Sequence, residues 1–147
     1  MIELRTILLV EDNPKDVELI IEALGEFNLA NRVVVARDGV DAMEYLRLEG
    51  KHKQRRKGNP AVVLLDIKMP RMDGIETLRA IRSDPLLKMI PVVMLTSSRE
   101  EPDLERSYEL GVNAYVVKPV DFNHFIEAIK EVGVFWAVIN ELPPERS

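Results

Sequence analysis

The chain has no cysteine among its 147 residues. That removes disulfides, thiolate metal sites and cysteine nucleophiles together. Long apolar runs are missing as well. Ile7-Leu-Leu-Val10 is too short for a signal-peptide core and is followed at once by acids, and no run approaches the ~20 residues of a membrane span. A cytoplasmic protein without a membrane partner is expected. There is no excess of basic charge: 20 Lys and Arg stand against 25 Asp and Glu, for a net charge of −5. A nucleic-acid-binding domain usually carries the opposite balance, so no nucleic-acid partner is expected. The chain lacks Gly-x-x-x-x-Gly-Lys-Ser/Thr, which excludes a P-loop NTPase. It also lacks internal repeats, low-complexity tracts and domain linkers.

What is present is a core-forming composition, 46% hydrophobic, over a length that suits one domain. Residues 1–147 are read as a single unit, with a core at about 6–138 and a C-terminal tail at 139–147. Short apolar runs recur at Thr6–Val10, Arg32–Ala36, Ala61–Leu65, Pro91–Leu95 and Ala114–Val117. They are continuous rather than alternating, as strands buried on both faces of a parallel sheet are. Helical spacing fills the intervals. Val17, Ile20, Ile21, Leu24 and Phe27 follow the cap-like Asn13-Pro14; Val40, Met43, Tyr45 and Leu46 follow Asp38-Gly39; Ile75, Leu78 and Ile81 follow Asp73-Gly74. A fourth helix within Glu101–Leu110, stopped at Gly111, has Leu104, Tyr108 and Leu110 as its few apolar anchors, and a fifth follows Asp121. Five strands alternating with five helices predict an α/β fold, a parallel sheet with helices on both faces.

The ends of the strands carry the chemistry. Glu11 and Asp12 follow the first, Asp66 closes the third, Thr96 closes the fourth and Lys118 follows the fifth. In open α/β sheets the ligand crevice lies at the carboxyl ends of the strands, so these groups converge. Adjacent acids at a strand end are as readily a solvated turn as a site. Three crowded carboxylates, however, repel one another, and a hard divalent cation such as Mg²⁺ relieves that through oxygen ligands. An Asp carboxylate can act as a nucleophile and accept a phosphoryl group. A hydroxyl at Thr96 and an ammonium at Lys118 suit phosphoryl oxygens.

The set Glu11-Asp12, Asp66, Thr96 and Lys118-Pro119, with Asp66-Ile-Lys-Met-Pro70 and Met72-Asp73-Gly74, resembles the receiver domain of bacterial response regulators. The resemblance spans Thr6 to about Val138. It implies a (βα)5 flavodoxin-like, doubly wound parallel sheet of order 2-1-3-4-5. It implies Asp66 as phosphoacceptor, Mg²⁺ held by Glu11, Asp12, Asp66 and the backbone carbonyl of Lys68, Thr96 as the switch hydroxyl, Lys118 as the phosphate-pairing cation and Tyr115 as the aromatic that moves on activation. The implied activity is that of a two-component switch rather than an enzyme, limited to self-catalysed phosphoacceptance and autodephosphorylation. The implied donor is a sensor histidine kinase. A closer likeness, to single-domain regulators paired with bacterial phytochromes, rests on Val92-Val-Met-Leu-Thr-Ser-Ser98, Leu110–Asp121 and Phe135-Trp-Ala137; it makes a bacteriophytochrome the expected kinase.

Other readings fit the same residues less well. A flavodoxin-type flavin binder needs a neutral, hydroxyl- and Gly-rich loop after the first strand, where this chain has two acids. An aspartyl-phosphate hydrolase typically has a second Asp two residues after the nucleophile; Lys68 is there instead. A phosphorylation-independent binding module of the same fold is the rival, and degraded modules usually lose an acid, the Thr or the Lys. The segment Glu49–Asn59, with Lys51, Lys53, Arg55, Arg56 and Lys57, reads as a solvated loop, with docking as the lesser alternative. Val134-Phe-Trp-Ala-Val-Ile139 is apolar all round, which one sheet face cannot bury on both sides. A homodimer through Phe135, Trp136 and the surface of the fourth helix, fifth strand and fifth helix is expected. The alternative is a kink at Gly133 that folds the segment over the core.

Overall fold

The computed structural model describes residues 6–25, 33–55, 58–96, 101–117, 123 and 127. The expected switch cation Lys118 and the Phe135/Trp136 segment lie outside them, as does the expected fifth helix apart from Asn123 and Glu127, which are helical.

The elements run β1 Ile7–Val10, α1 Pro14–Gly25, β2 Val33–Ala36, α2 Gly39–Arg47, β3 Val62–Leu65, α3 Gly74–Ser83, β4 Val92–Thr96, α4 Glu101–Glu109 and β5 Ala114–Val117. All strand pairs are parallel, and the sheet order is β2-β1-β3-β4-β5. This is the expected flavodoxin-like order. β1 and β3 are buried along their whole length because the sheet is covered on both sides. Leu8, Val10, Val63, Leu65, Val92 and Met94 face α2 and α3, which contribute Met43, Tyr45, Leu46, Ile75, Leu78 and Ile81. Ile7, Leu9, Val62, Leu64, Val93 and Leu95 face the other way, against Ile20 and Leu24 of α1. Alternate residues of one apolar run thus build two separate cores, which is why the runs show no polar alternation.

The helix starts follow the expected chemistry. Asn13 accepts from Lys15 N–H at 2.9 Å ahead of Pro14. Asp38 caps α2 by accepting from Asp41 N–H. Asp73 and Glu76 form a reciprocal capping box at α3. Two expectations need correction. Leu104 and Tyr108 do not anchor α4: they are 37% and 53% exposed, and Leu110 is only half-buried. Among the described side chains of α4 the fully buried one is Ser107, whose hydroxyl donates to the Asp103 carbonyl at 2.8 Å. The basic segment is not merely solvated either. It begins with a 3-10 turn at Gly50–His52, His52 bonds Asp41 at 2.9 Å, and Arg55 lies 4.0 Å above the Tyr45 ring while donating to Tyr45 O at 2.7 Å. Lys51, Lys53 and Gln54 do remain exposed.

One side chain fastens the end of the sheet opposite the strand carboxyl ends. Arg82, in the last turn of α3, donates to Gly111 O through Nε and Nη2 at 2.9 and 2.8 Å. It also donates to Lys88 O, Ile90 O and Asn113 Oδ1. Asn113 Oδ1 in turn accepts from Val92 N–H at 2.8 Å, at the start of β4. The planar fork of a guanidinium can serve these acceptors together, whereas the point charge of an ammonium cannot. Arg82→Lys is therefore expected to destabilise the fold nearly as much as Arg82→Ala, by about 1–3 kcal/mol, measured as the shift in urea midpoint at constant slope.

Candidate functional site

The sheet order creates the site. β1 lies between β2 and β3, and its connection through α1 leaves on one face, while the connection from β3 through α3 leaves on the other. The loops following β1 and β3 therefore part, and a crevice opens between them. Main-chain bonds fix both loop starts: Glu11 N–H donates to Ala36 O at 2.9 Å, and Asp66 N–H to Val10 O at 3.0 Å.

Carboxylate oxygens of Glu11, Asp12 and Asp66 come within 4.8 Å of one another. Glu11 and Asp66 are buried, at 2% and 6% exposure, and Asp12 is exposed. Ile67 N–H donates to Asp66 Oδ1 at 2.9 Å, and Asn13 N–H to Glu11 Oε2 at 3.2 Å. An open cleft of about 540 Å³ adjoins this cluster, lined by Asp12, Ile67, Lys68, Met69, Pro70, Asp73 and Asp103. Hard oxygen donors, crowded and partly buried, suit a hard divalent cation such as Mg²⁺ or Mn²⁺ and suit no soft metal.

Of the remaining expected residues, Thr96 ends β4, in register with Val117 of β5. Tyr115 is half-buried, in register with Met94 and packed against the α2–α3 core. Asp73 and Asp103 line the cleft without having been singled out as site residues. Asp73 stands out in the sequence as a helix cap and as part of the Met72-Asp73-Gly74 motif, and Asp103 is one acid among several in α4.

Gly74 brings α3 against Asp66. A Cβ there would meet Asp66 O at 2.1 Å and Ile67 Cα at 2.8 Å, so no side chain fits without moving the backbone that carries Asp66. Gly74 N–H also donates to Ile67 O at 2.8 Å. Past the cleft, Arg71 holds a left-handed conformation, φ +63°. Its guanidinium grips the buried Asp38 with two bonds, Nε to Oδ2 at 2.7 Å and Nη2 to Oδ1 at 3.0 Å.

Residues 7–130 match the description of the response regulator receiver domain. The chain belongs to that family. It is 39% identical over 137 residues to the probable methanogenesis regulatory protein FilR2 of Methanothrix harundinacea, a match spanning 93% of this chain and 86% of that protein. To the response regulator Rcp1 of Synechocystis it is 37% identical over 139 residues, spanning 95% and 93%. The Mn²⁺-bound form of Rcp1 superposes with a TM-score of 0.75, covering 95% of this chain and 99% of that one, at 36% identity. The bacteriophytochrome response regulator AtBRR superposes with a TM-score of 0.85 at 61% identity, covering 95% of this chain and 100% of that one. This chain is thus a receiver-domain response regulator of two-component signalling, related to phytochrome response regulators, with an acidic pocket of the kind that holds Mg²⁺ or Mn²⁺. Among the described residues no helix is long and apolar enough to cross a membrane.

The charge cluster beside the cleft gives a pH dependence. Burial opposes ionisation of Asp38, but hydrogen bonds from Arg71 and the Asp41 N–H outweigh it and hold the carboxyl below its ordinary 3.8. Asp41 is likewise held down, with burial opposed by His52, the Arg37 N–H and Lys51. A carboxyl depressed in the folded state stabilises above its unfolded pKa, and that contribution is lost as pH falls through the folded value. Asp38→Asn keeps a cap for α2 but loses the charge. It is expected to be less stable than wild type at pH 6, with the difference shrinking as pH falls below 3.8; denaturant titrations at pH 6 and at about pH 3 check this.

Proposed function

We propose that this chain is a phosphorylation switch in which Asp66 accepts a phosphoryl group from a sensor histidine kinase, a bacteriophytochrome in the first instance. The observation that carries the reading is the burial of Asp66 at the end of β3, within 4.8 Å of Glu11 and Asp12. Glu11, Asp12, Asp66 and the Lys68 carbonyl would hold Mg²⁺. Bound there, the cation offsets the carboxylate charge and polarises the phosphoryl oxygens. In the transfer, an Asp66 oxygen forms the new P–O bond as the P–N bond to the kinase imidazole breaks, its electron pair passing to the ring nitrogen. Ile67 N–H orients Asp66 for this attack. Lys118 would pair with the phosphoryl group, Thr96 would donate its hydroxyl to it, and Tyr115 would follow, changing the surface of α4, β5 and the fifth helix. The chain acts as one cytoplasmic receiver unit whose only chemistry is phosphoacceptance and autodephosphorylation, and its output is protein–protein contact. The rival reading, a phosphorylation-independent binding module, is decided by the same experiment. Incubation with acetyl phosphate and Mg²⁺ should add one acid-stable, base-labile phosphoryl group to wild type by intact mass, and none to Asp66→Asn. Chelating Mg²⁺ or replacing Asp12 by Ala should suppress the gain. Equal labelling of wild type and Asp66→Asn, or none of either, would exclude Asp66 as acceptor.

The same reading includes a homodimer. Leu104 and Tyr108 on the exposed side of α4 support it, together with the apolar composition of 134–139. Exposed aromatic and aliphatic groups of this kind mark interfaces. Sedimentation of wild type and of a Phe135→Ala/Trp136→Ala variant, with and without phosphorylation, tests it. Wild type should associate in the micromolar range and the variant should not. A wild type that stays monomeric, or a variant that dimerises equally well, would reject the dimer.

A further inference from the structure

Between Asp66 and α3 the chain runs through Ile67 to Asp73, and this segment is held from two directions. At its start, Ile67 O is held by Gly74 N–H of α3. At its far end, Met72 O accepts from Gly39 N–H of α2 at 3.0 Å, and Arg71 grips Asp38, the α2 cap. Lys68, Met69 and Pro70 lie between the two attachments and line the cleft. Their placement depends on both. The far attachment is the demanding one. Arg71 sits at φ +63°, a region that a residue with a Cβ occupies only against a steric cost. Gly39 has no room for a side chain, since a Cβ would meet Thr77 Oγ1 at 2.1 Å and Met72 O at 2.7 Å. A two-point, charge-assisted fork is the interaction best suited to holding such a turn, because it fixes orientation as well as distance. Nothing in phosphoryl chemistry requires Arg71 or Asp38 to touch a ligand, and neither lines the cleft.

We propose that the Arg71–Asp38 pair is a positioning device for the divalent cation site, fixing the left-handed turn that presents the Lys68 main chain to the Glu11, Asp12 and Asp66 carboxylates. This rests on the reading of Lys68 as a backbone ligand given above. Groups that orient the ligands of a metal commonly carry part of its affinity without touching it.

The test is a Mg²⁺ titration followed by amide shifts on wild type, Arg71→Ala, Asp38→Asn and the double variant, beside Asp12→Ala. Each single substitution at the pair is expected to raise the half-saturating Mg²⁺ concentration roughly tenfold. The rate of phosphoryl gain from acetyl phosphate at saturating Mg²⁺ should remain near the wild-type rate. The double variant should be no worse than the worse single, because both singles break one interaction. In Mg²⁺-free protein the same amides, within 67–73, should shift in Arg71→Ala and in Asp38→Asn. A lesion that merely lowered stability would change the melting temperature without changing the Mg²⁺ requirement of the folded protein. Should Arg71→Ala fold poorly, Arg71→Asn replaces it, since Asn tolerates the left-handed region but cannot supply the fork. Mg²⁺ affinity in both single variants within about twofold of wild type, or additive losses in the double variant, overturns the pair. If Asp12→Ala weakens Mg²⁺ binding while the pair variants do not, the positioning role alone fails. A wild type with no Mg²⁺ response overturns the metal site and the pair with it.

Discussion

A parallel sheet sealed on both faces confines its chemistry to the ends of its strands. β1 and β3 are buried throughout, so any polar side chain within them would lose its water without gaining a partner. The acids therefore gather where the strands stop, and the sheet order brings the stops of β1 and β3 together. The cost of that gathering is mutual repulsion among Glu11, Asp12 and Asp66. Backbone N–H groups answer part of it, from Asn13 to Glu11 and from Ile67 to Asp66. A divalent cation would offset that repulsion further. Closeness of like charges is inherent in a cluster of three carboxylates at adjacent strand ends.

Much of this was legible in the sequence, and for definable reasons. Strands buried on two faces lose their alternation, so Ile7–Val10 and Val62–Leu65 stand out as unbroken apolar runs. Asn13, Asp38 and Asp73 announce helix starts because short polar side chains satisfy the first N–H groups. The convergence of Glu11, Asp12 and Asp66 then follows from topology. The Arg71–Asp38 pair was not legible. Its members lie 33 residues apart, and nothing in Pro70-Arg71-Met72 signals a left-handed arginine where glycine or asparagine would be usual. The seating of α4 is not legible, because its few apolar residues are not the ones that dock it. Leu104 and Tyr108 face solvent, and burial falls on a serine. His52 and Arg55 were absorbed into a charge run, although tertiary packing against Tyr45 and Asp41 gives each a fixed place.

The two sides of the sheet's perimeter differ in how they are held. The β3–α3 loop is tied to α2 through Arg71 and Gly39 and to α3 through Gly74. α4, beyond β4, has little apolar anchorage within its own length: Ser107 is buried, while its aliphatic and aromatic side chains are exposed. Elements with few buried apolar contacts lie at the low end of local stability. The fold thus combines a braced segment with a lightly seated helix beside it.

Arg82 gives that helix a fulcrum. Its double bond to Gly111 O fixes the chain just past the C-terminal end of α4, while Asp103, in the first turn, borders the cleft. With one end pinned, α4 would pivot there rather than slide along its axis. Its nine residues span about 13 Å at 1.5 Å per residue, so a tilt about the pinned end would displace the first turn far more than the last. A tilt about that point would be felt most strongly by whatever touches the turn nearest the cleft.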